Sequence, residues 1–388
     1  MQVLITDATS RHMLVIARSL GKKSINIGAA SYQKGALVFK SKYCRKKLIS
    51  PRSSEHDAYV KFLQETSANE KPELIIAGSD NTSQYVSDNR ETFGPQFRNA
   101  LPSKEAFVTA NQKDSCLKLA MDLGVQVPKS FFPDNVEEAN KLADKLSYPV
   151  LVKGQLGSGS SNIRYVHNKE TLIPAYREIY ELEKEFDVNP PTIQEHLTGK
   201  GYICGMLVKN GEIIAHFQHR RFREYPITGG VSAIVESCYI PQIFEDSKKM
   251  IEGLNWHGII MTEFKHNPVN DTYNLLEINP RFWGATGLAV AAGIDFPYMY
   301  YQLSMGEKVE PVTEYNIGLK YIFLFPTALM SVVSYPKSIG GLVKPLLGAN
   351  SKTDIDWLDI KPTLSQLKVT QYLIRKGVKK TQTELITA

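Results

Sequence analysis

The sequence has few cysteines, no long apolar run and no concentrated patch of positive charge. Its four cysteines, Cys44, Cys116, Cys204 and Cys238, are widely spaced and lack a neighbouring histidine cluster, which argues against a disulfide framework, a zinc site or a redox pair. The net charge of +6 is dispersed over 388 residues and is not interleaved with aromatic side chains. We therefore expect no nucleic-acid partner.

The chain also lacks the marks of an exported or membrane-spanning protein. Met1 leads directly into the apolar run Val3–Ile5, without the basic region, long apolar stretch and cleavage site of a signal peptide, so we expect a cytoplasmic protein. The most apolar stretch, residues 321–335, is interrupted by Pro326 and is short for crossing a bilayer. A buried helix is the simpler interpretation, and an interfacial helix resting on a membrane is the alternative.

Residues 1–105 alternate strand-like and helix-like segments. This alternation predicts a parallel sheet with right-handed crossovers. The first strand is not followed by a glycine-rich dinucleotide fingerprint. Ligands in open sheets of this kind gather beyond the carboxyl ends of the strands, so Asp7, Thr9 and residues 79–81 are candidate substrate contacts, with ordinary turn residues as the equal alternative.

Two further segments have side chains or backbone groups suited to anions. A buried strand at residues 148–153 ends on Lys153 and runs into a loop of glycines and serines, whose N–H groups can approach phosphate oxygens; a flexible hairpin loop is the alternative. The lysine precedes the glycines, so this is not a Walker A loop. Residues 219–223, which include His219 and Arg221, place three arginines and a histidine beside the glycine pair 229–230. Such a set favours anion binding, with a solvated face as the alternative.

The segments 258–265 and 273–279 flank a cluster of turn-forming residues and predict a β-hairpin. A turn centred near Val269 places Glu263 opposite Leu275 and diagonal to Glu277. The remaining neighbours on this face, which read as pocket lining, are Ile259, Met261 and Leu275.

Oxygen-bearing side chains converge on this predicted hairpin. Glu277 and Asn279 share a face through the strand period of two, and Glu263 lies nearby. Two carboxylates on one face repel each other unless cations lie between them, and Mg²⁺ suits such ligands. A solvated strand face is the alternative. Carboxylates on opposite sides of the sheet, or an arginine in the place of the metal, would contradict the metal hypothesis.

Taken in the order in which they occur along the chain, these features resemble those of the ATP-grasp superfamily over about residues 1–305. The shared series is a lysine on a helix, a lysine at a strand end, a glycine loop, a linker strand, and a hairpin that carries Glu and Glu-x-Asn-x-Arg. Within the superfamily, residues 275–284 and residues 219–221 with the glycine pair 229–230 are most similar to carboxylate–amine ligase-like members.

The resemblance implies an α/β fold with α+β elements. It implies a parallel-sheet pre-ATP-grasp domain of Rossmann-like form at residues 1–105, followed by the two-lobed ATP-grasp fold. The small lobe and linker, with the glycine-rich loop, would occupy residues 106–190, and the catalytic lobe residues 191–310. A small helical extension would complete the chain at residues 311–388.

The resemblance also implies a function. It is that of an ATP-dependent ligase that joins a carboxylate to an amine through an acyl phosphate, with ATP and Mg²⁺ as cofactors and Mn²⁺ as a substitute metal. Its partners would be a small-molecule carboxylate and an amine. The oligomeric state is not assigned, and a homodimer is one alternative. Two alternatives are an ATP-grasp enzyme that makes a phosphorylated product without amine transfer and a non-catalytic nucleotide-binding module.

Carried over by position, the resemblance assigns residues to three tasks. Those that contact the nucleotide are Lys113, Lys153, Gly157, Ser158, Gly159, Ser160, Ser161, Gln194, Glu195 and Leu197. Those that hold the metal ions are Glu263, Glu277 and Asn279. Those near the reacting groups are Lys153, His219, Arg221 and Arg281, with His219 as candidate general base. Gly201 and Tyr202 stand where many members hold the ribose with an acidic residue, so the ribose contact is not assigned.

Overall fold

The computed structural model describes residues 1–155, 162–186, 188–226 and 230–376. The predicted lid residues Gly157, Ser158, Gly159, Ser160 and Ser161 lie outside the described residues, as do Gly229 and the tail after Lys376. The described chain contains three β-sheets with helices packed against them, which confirms the predicted α/β fold class.

The N-terminal unit is a parallel sheet covered by helices. Its elements are β1 (Val3–Ile5), α1 (Arg11–Lys22), β2 (Ile27–Ser31), β3 (Cys44–Ile49), α2 (His56–Glu70), β4 (Leu74–Ile76), α3 (Asp80–Asp88) and α4 (Lys104–Asn111). The strand order is β3-β2-β1-β4, and every neighbouring pair is parallel. The predicted parallel N-terminal sheet is therefore confirmed. The edge strand β3 carries the exposed basic side chains Arg45, Lys46 and Lys47.

A second sheet forms the small lobe. Its elements are α5 (Lys113–Asp122), β5 (Ser130–Phe131), α6 (Val136–Leu142), β6 (Val150–Lys153), β7 (Ile163–Val166), α7 (Lys169–Glu183) and β8 (Thr192–Glu195). The strands are antiparallel in the order β5-β8-β6-β7. Val152, Tyr176 and Ile193 meet in the core between this sheet and its helices. The packing fixes β6, so that its last residue, Lys153, reaches the edge of the lobe.

The third sheet is the largest and carries the catalytic lobe. Its elements are β9 (Gly201–Lys209), β10 (Glu212–Tyr225), β11 (Val231–Cys238), α8 (Pro241–Leu254), β12 (Gly258–Asn267), β13 (Thr272–Asn279), α9 (Thr286–Ala291) and α10 (Phe296–Ser304). Alternate residues of β9 face opposite sides of the sheet. Ile203 and Leu207 pack in the core shared with the N-terminal unit, whereas Met206 and Val208 pack against α8. This strand is buried on both faces and is accordingly apolar along most of its length.

The C-terminal extension completes the third sheet and adds helices. Its elements are β14 (Lys320–Ile322), α11 (Leu329–Ser334), α12 (Gly340–Leu347), β15 (Ser351–Thr353) and α13 (Ile360–Arg375). The sheet order is β13-β12-β9-β10-β11-β14-β15. The extension is helical as predicted, but its two strands were not predicted.

The apolar stretch 321–335 is mostly core. It contains most of β14, one π-helical turn at Leu324–Ala328 and α11, and Ile322, Ala328 and Met330 are buried. The interpretation of this stretch as buried structure is confirmed, although part of it is a strand. No helix in the described part of the chain has both the length and the apolar composition needed to span a bilayer.

A buried ion pair joins the extension to the N-terminal unit. Arg18 of α1 donates from Nε to Asp359 Oδ2 at 3.0 Å and from Nη2 to the Asp359 carbonyl oxygen at 2.9 Å. The hydroxyl of Ser41 donates to the same carboxylate at 2.8 Å. Removing one partner of a buried, hydrogen-bonded ion pair strongly destabilises the folded state, because the other charge is left buried without a partner. This contact therefore fixes the extension against the N-terminal unit.

Candidate active site

One cleft collects the predicted site residues. It has a volume of about 1420 Å³ and is lined by residues of the second and third sheets and by the start of α1 in the N-terminal unit. The described residues that the sequence assigned to the site, and that all line this cleft, are Lys113, Lys153, Gln194, Glu195, Leu197, His219, Arg221, Glu263, Glu277, Asn279 and Arg281. The fold therefore brings together side chains that are up to about half the chain apart in sequence.

The two glutamates of the hairpin face each other directly. Glu263 of β12 is the register partner of Glu277 on β13. The predicted register, with Glu263 opposite Leu275 and diagonal to Glu277, is wrong. Two one-residue offsets cause the difference. The turn is centred between Val269 and Asn270, since Asn267 pairs with Thr272, and a β-bulge leaves Leu276 as an extra residue between the Phe264–Leu275 and Glu263–Glu277 pairs.

The bulge also changes which side chains line the cleft. Leu275 packs with Phe264 in the core on the opposite face of the sheet, so its predicted place in the pocket is wrong. Leu276 lines the cleft instead. Met261 also lines the cleft, as predicted, and Ile259 is buried in the core on that side. The inserted residue therefore places both carboxylates on one face.

Glu263 lies between a cation and another carboxylate. Arg221 Nη2 donates to Glu263 Oε1 at 2.9 Å, and Arg221 Nη1 donates to Glu224 at 3.2 Å. Burial raises the pKa of Glu263; Arg221 opposes this shift and Glu277 adds to it. The side chain of Arg221 reaches Glu263 across β9, where Gly201 presents no side chain and a Cβ would lie 3.4 Å from the arginine Cδ.

This arginine is the kind of contact that could contradict a metal site. In the sheet order, however, β10 and β13 lie on opposite sides of β12, so Arg221 approaches Glu263 from the side away from Glu277. Glu277 Oε1 instead accepts a hydrogen bond from Asn279 Nδ2 at 3.2 Å. The two carboxylates share one face, and the arginine contacts one of them without separating the pair.

The small lobe brings two lysines to the cleft. Lys153 Nζ donates to Gln194 Oε1 at 2.5 Å, and Gln194 Nε2 donates to the Ser130 hydroxyl at 2.9 Å. Burial lowers the pKa of Lys153 to about 8, against the attraction of Glu277. Lys113, the first residue of α5, donates to the carbonyl oxygen of Gln155 at 3.2 Å. Both ammonium groups therefore lie where an anionic ligand in the cleft can meet them.

The remaining linker residues differ in exposure. Glu195 is exposed and its carboxylate accepts from the backbone N–H of Lys129 at 3.4 Å, whereas Leu197 is buried. The Gln194 side chain is occupied by Lys153. The backbones of Gln194 and Glu195 are paired with β5 and β6, so residues 196–197, which follow β8, are the part of the linker backbone outside that strand.

Arg281 bridges the catalytic lobe and the N-terminal unit. It donates from Nη2 to Asp80 Oδ2 at 3.1 Å and to Asn279 Oδ1 at 2.9 Å, and Nε also donates to Asp80. Burial acts to raise the pKa of Asp80, but the charge and hydrogen bonds of Arg281 outweigh it, so the pKa is lowered. Asp80 was a strand-end candidate in the sequence, and its observed contact is this arginine.

His219 is buried and neutral. Burial, together with the charge of Arg221, lowers the pKa of His219 to about 3. Its Nδ1 has no hydrogen-bond partner among the described residues. An imidazole with so low a pKa is a poor proton acceptor near neutral pH, so the geometry gives no support to its proposed use as a general base.

Among the cleft residues that have no predicted role are Ser10, Arg11 and His12 of the N-terminal unit and Phe323 of the extension. Arg11 opens α1, donates to the hydroxyl of Thr327, and holds its guanidinium 5.3 Å from the centre of the Phe323 ring. The strand-end rule could have found Arg11, which follows β1 closely. Phe323 belongs to the extension, and nothing in its local sequence indicates that it reaches the cleft.

A tight contact positions the segment that carries Asn279 and Arg281. The ring of Trp283 lies on Gly205 of β9, where an added Cβ would lie 2.1 Å from the ring. Trp283 is itself buried and packs edge-to-face against Phe296. The absent side chain at Gly205 therefore lets the end of β13 lie close over the sheet.

Two family models match adjoining parts of the chain. Residues 112–203 match the family described as carbamoyl-phosphate synthase L chain, ATP binding domain. Residues 188–322 match the family described as ATP-grasp in the biosynthetic pathway with Ter operon. Together they cover the small lobe, the catalytic hairpin and β14.

The chain belongs to the ATP-grasp superfamily. This confirms the predicted superfamily. Among curated proteins, this ATP-grasp protein is 28% identical over 264 residues to the carbamoyl phosphate synthase large chain, C-terminal section, of Methanopyrus kandleri, with 65% of this chain and 47% of that protein covered. It is 23% identical over 293 residues to the carbamoyl phosphate synthase large chain of Thermoanaerobacter pseudethanolicus, covering 72% of this chain and 27% of that protein. The chain thus spans half or less of the length of these two relatives.

Solved structures share the fold at low identity. Biotin carboxylase from Campylobacter jejuni, in complex with β-γ-ATP, matches with a TM-score of 0.68 and 18% identity over 82% of this chain and 74% of that one. N5-carboxyaminoimidazole synthetase from Staphylococcus aureus, complexed with ADP, matches with a TM-score of 0.66 and 13% identity over 88% of this chain and 86% of that one. The predicted pre-ATP-grasp and two-lobed architecture is confirmed by these likenesses.

Proposed function

We propose that this ATP-grasp protein is a ligase that uses ATP and Mg²⁺ to join a carboxylate to an amine through an acyl phosphate. The in-register pair Glu263 and Glu277 carries the proposal, because it shares one cleft with Lys153 and Arg281. Adjacent carboxylates surrounded by cations form a site for a metal ion and a polyanion together.

The residues present fit Mg²⁺. The described residues contain no cluster of three or more His, Cys, Asp or Glu side chains able to hold a metal ion alone. Glu263, Glu277 and Asn279 offer two carboxylates and an amide, and Mg²⁺ commonly completes its six ligands with waters and phosphate oxygens. Mn²⁺ accepts the same ligand types. A bound metal would neutralise charge on the phosphoryl oxygens.

We assign the nucleotide to the side of the cleft formed by the small lobe. Lys113 and Lys153 would meet its phosphates, and the backbone of residues 196–197 would meet the adenine, since the Gln194 side chain is engaged by Lys153 and the backbone of β8 is paired with β5 and β6. Gly157, Ser158, Gly159, Ser160 and Ser161 stay predicted as the lid. A lid has a clear purpose here, because an acyl phosphate must be kept from water.

The proposed reaction has two steps. An oxygen of the substrate carboxylate attacks the γ-phosphorus, the bond from that phosphorus to the bridging oxygen breaks, and ADP leaves. The amine nitrogen then attacks the acyl carbon, the carbon–oxygen bond to phosphate breaks, and the surplus N–H proton leaves with phosphate or solvent. Arg281, held by Asp80 and Asn279, is placed to neutralise the oxygens of the transferred group.

His219 has no proton-transfer role in this proposal, because its pKa, lowered to about 3, makes it a weak base. Arg221 acts through Glu263, to which it donates at 2.9 Å, and positions that carboxylate for the metal. An amine that enters uncharged needs no base from the protein.

A paired screen tests the proposal. Carboxylic acids and amines are offered in pairs with ATP and Mg²⁺, ADP is measured, and products are identified by mass. We expect ADP formation that needs the acid, a C–N product when the amine is present, and a hydroxamate when hydroxylamine replaces the amine. A stable phosphorylated product that forms with or without amine would favour the phosphoryl-transfer alternative. ADP binding without turnover for any acid would favour a nucleotide-binding module.

A further inference from the structure

The outer side of the C-terminal extension is depleted of negative charge. Residues 315–376 contain eight lysines and arginines but three acidic residues, all aspartates. Two of these are paired inward with α1: Asp359 with Arg18 at 3.0 Å and Asp356 with Lys22 at 2.8 Å. The third, Asp354, accepts from the backbone N–H of Leu324 at 3.0 Å. Seven of the eight basic side chains are exposed, and the eighth, Lys320, lies 3.7 Å from Glu236 of β11.

The same side exposes an ordered row of apolar side chains. In and just before α12, Ile339, Val343 and Leu347 recur at every fourth position, which places them on one helical face. This face points away from the core, since Ile339 is 55% exposed and Leu347 is 82% exposed. The opposite face of α12 supplies Leu342, which packs in the core with Ile322 and Ala328. The helix is thus apolar on both sides, and within the described part of the chain one of these sides is exposed.

Basic residues flank this row. Lys337 and Lys344 are exposed beside it. We call the following residues the docking surface: Val333, Lys337, Ile339, Val343, Lys344, Leu346 and Leu347.

The neighbouring helix α13 also carries exposed apolar and basic side chains at its end. Leu373 of α13 packs with Met330 of α11 in one small core, so the end of α13 lies beside the start of the docking surface. Tyr372 and Ile374 are exposed at that end. The basic residues Arg375 and Lys376 follow them.

We propose that the docking surface binds the face of a lipid bilayer that contains anionic headgroups. Apolar side chains of a surface helix can enter the boundary between headgroups and acyl chains, while lysines pair with anionic lipid. The composition favours a bilayer over a protein partner, because lysine is depleted at protein–protein interfaces. The helix lies on the membrane and does not cross it. This proposal is independent of the ligase reaction.

Strand β10 connects the docking surface to the cleft. Tyr225, at the end of β10, packs on Met330 and its hydroxyl lies 2.8 Å from that of Ser334, next to Val333. Residues Arg221 and Arg223 of the same strand line the cleft. The docking surface and one wall of the cleft are therefore joined by a single strand.

Co-sedimentation of the full chain with vesicles tests the proposal, without nucleotide or substrates. The vesicles contain phosphatidylcholine alone, or phosphatidylcholine with phosphatidylglycerol. We expect binding to the anionic vesicles only, weakened by salt. Lys344→Glu should reduce the affinity by at least about fivefold, and Leu347→Glu by a similar factor.

Matched controls separate the surface from general charge and apolarity. Val269→Glu changes an apolar residue that is 92% exposed at the β12–β13 turn, and Lys145→Glu reverses an exposed lysine in the small lobe. Both should bind as the unchanged chain does. Equal binding to the two kinds of vesicle, no binding, or full binding by Lys344→Glu and Leu347→Glu would overturn the proposal. Light scattering measures the oligomeric state, because a second copy of the chain is the alternative occupant of the docking surface. If the unchanged chain is a dimer that does not bind vesicles, and Leu347→Glu makes it a monomer, the surface is a dimer interface.

Discussion

Asp7 and Glu263 are both half-buried carboxylates that the sequence marks as candidate ligand groups, and their surroundings differ. Asp7 Oδ2 accepts hydrogen bonds from the Thr6 hydroxyl at 2.5 Å, the Thr82 hydroxyl at 2.7 Å and the Gly78 N–H at 3.1 Å. Glu263 meets Arg221 on one side and the carboxylate of Glu277 on the other. The first group is satisfied by neutral donors of its own sheet, and the second is not.

This difference separates a structural carboxylate from a functional one. Three neutral donors stabilise the charge of Asp7 and tie β1 to β4 and α3, and Asp7 is not among the residues that line the cleft. Glu263 has a pKa raised by burial and by Glu277, which means that its charged form is poorly accommodated in the chain alone. A carboxylate left in that condition at a cleft wall is suited to a cation.

The Glu277→Gln variant should have the largest effect among the tests of this difference between Asp7 and the glutamate pair. The change keeps the shape of the side chain but removes one charge from the proposed metal pair, so kcat/KM for ADP formation should fall at least about thousandfold. The free energy of unfolding should change by less than about 1 kcal/mol, since the repulsion with Glu263 is relieved while an amide oxygen remains. ADP formation at several Mg²⁺ concentrations, with urea unfolding alongside, measures both.

The matched control for this variant is Glu212→Gln, at the exposed start of β10 in the same sheet. It should behave as the unchanged chain in both assays. Turnover by Glu277→Gln within tenfold of normal would show that the register pair does not hold the metal.

Asp7→Ala should show the opposite pattern. It removes the acceptor of three hydrogen bonds and places alanine at a φ of 50°, in the left-handed region. We expect the free energy of unfolding to fall by about 3 kcal/mol in urea titrations. Asp7→Asn, which keeps an acceptor oxygen and tolerates this backbone, should lose at most half as much. Equal losses in the two variants would mean that the hydrogen bonds contribute little.

The sequence could predict the parts of the fold and site that depend on local pattern. Alternating segments indicate the parallel N-terminal sheet, and turn-forming residues 266–271 indicate the β12–β13 hairpin. The spacing of Glu277 and Asn279 gives a shared strand face, because the period of two holds whatever the register. The site residues as a set were assigned through the family resemblance, and the eleven described ones line one cleft.

The rest depends on contacts that local pattern does not encode. Counting back from the turn misses the bulge at Leu276, since an inserted residue is set by packing across the sheet. The apolar run that contains β14 reads equally as strand or buried helix, because periodicity does not distinguish them when both faces are buried. The reach of Phe323 to Arg11 joins residues over three hundred positions apart and has no local signal.

His219 sharpens the comparison as a third kind of group, buried and uncharged. Its pKa is lowered to about 3, so between about pH 6.5 and pH 3 the unfolded chain binds a proton that the folded chain does not. Its contribution to stability is therefore present above pH 6.5 and is lost as the pH falls. Between about pH 6.5 and pH 5 the loss from this group should be about 2 kcal/mol.

The difference between the unchanged chain and His219→Gln isolates this contribution in urea unfolding at the two pH values. The difference is needed because His12, whose pKa burial lowers to about 4, loses stability in the same direction. If His219→Gln has the same pH dependence as the unchanged chain, the imidazole is accessible to protons in the folded state and regains its place as a candidate base.

The smallest effect concerns Lys153, whose ammonium group is attracted by Glu277 and Glu263. Burial lowers its pKa to about 8, so the free chain loses this charge as the pH rises past that value. A phosphate ligand needs the ammonium form, and the Kd for ADP without Mg²⁺ should rise about tenfold between about pH 7 and pH 9. Lys153→Arg should bind with a nearly flat profile, because its guanidinium stays charged. Calorimetric titration measures both curves, and a flat profile for the unchanged chain would place the phosphates away from Lys153, leaving the carboxylate pair without its proposed polyanion.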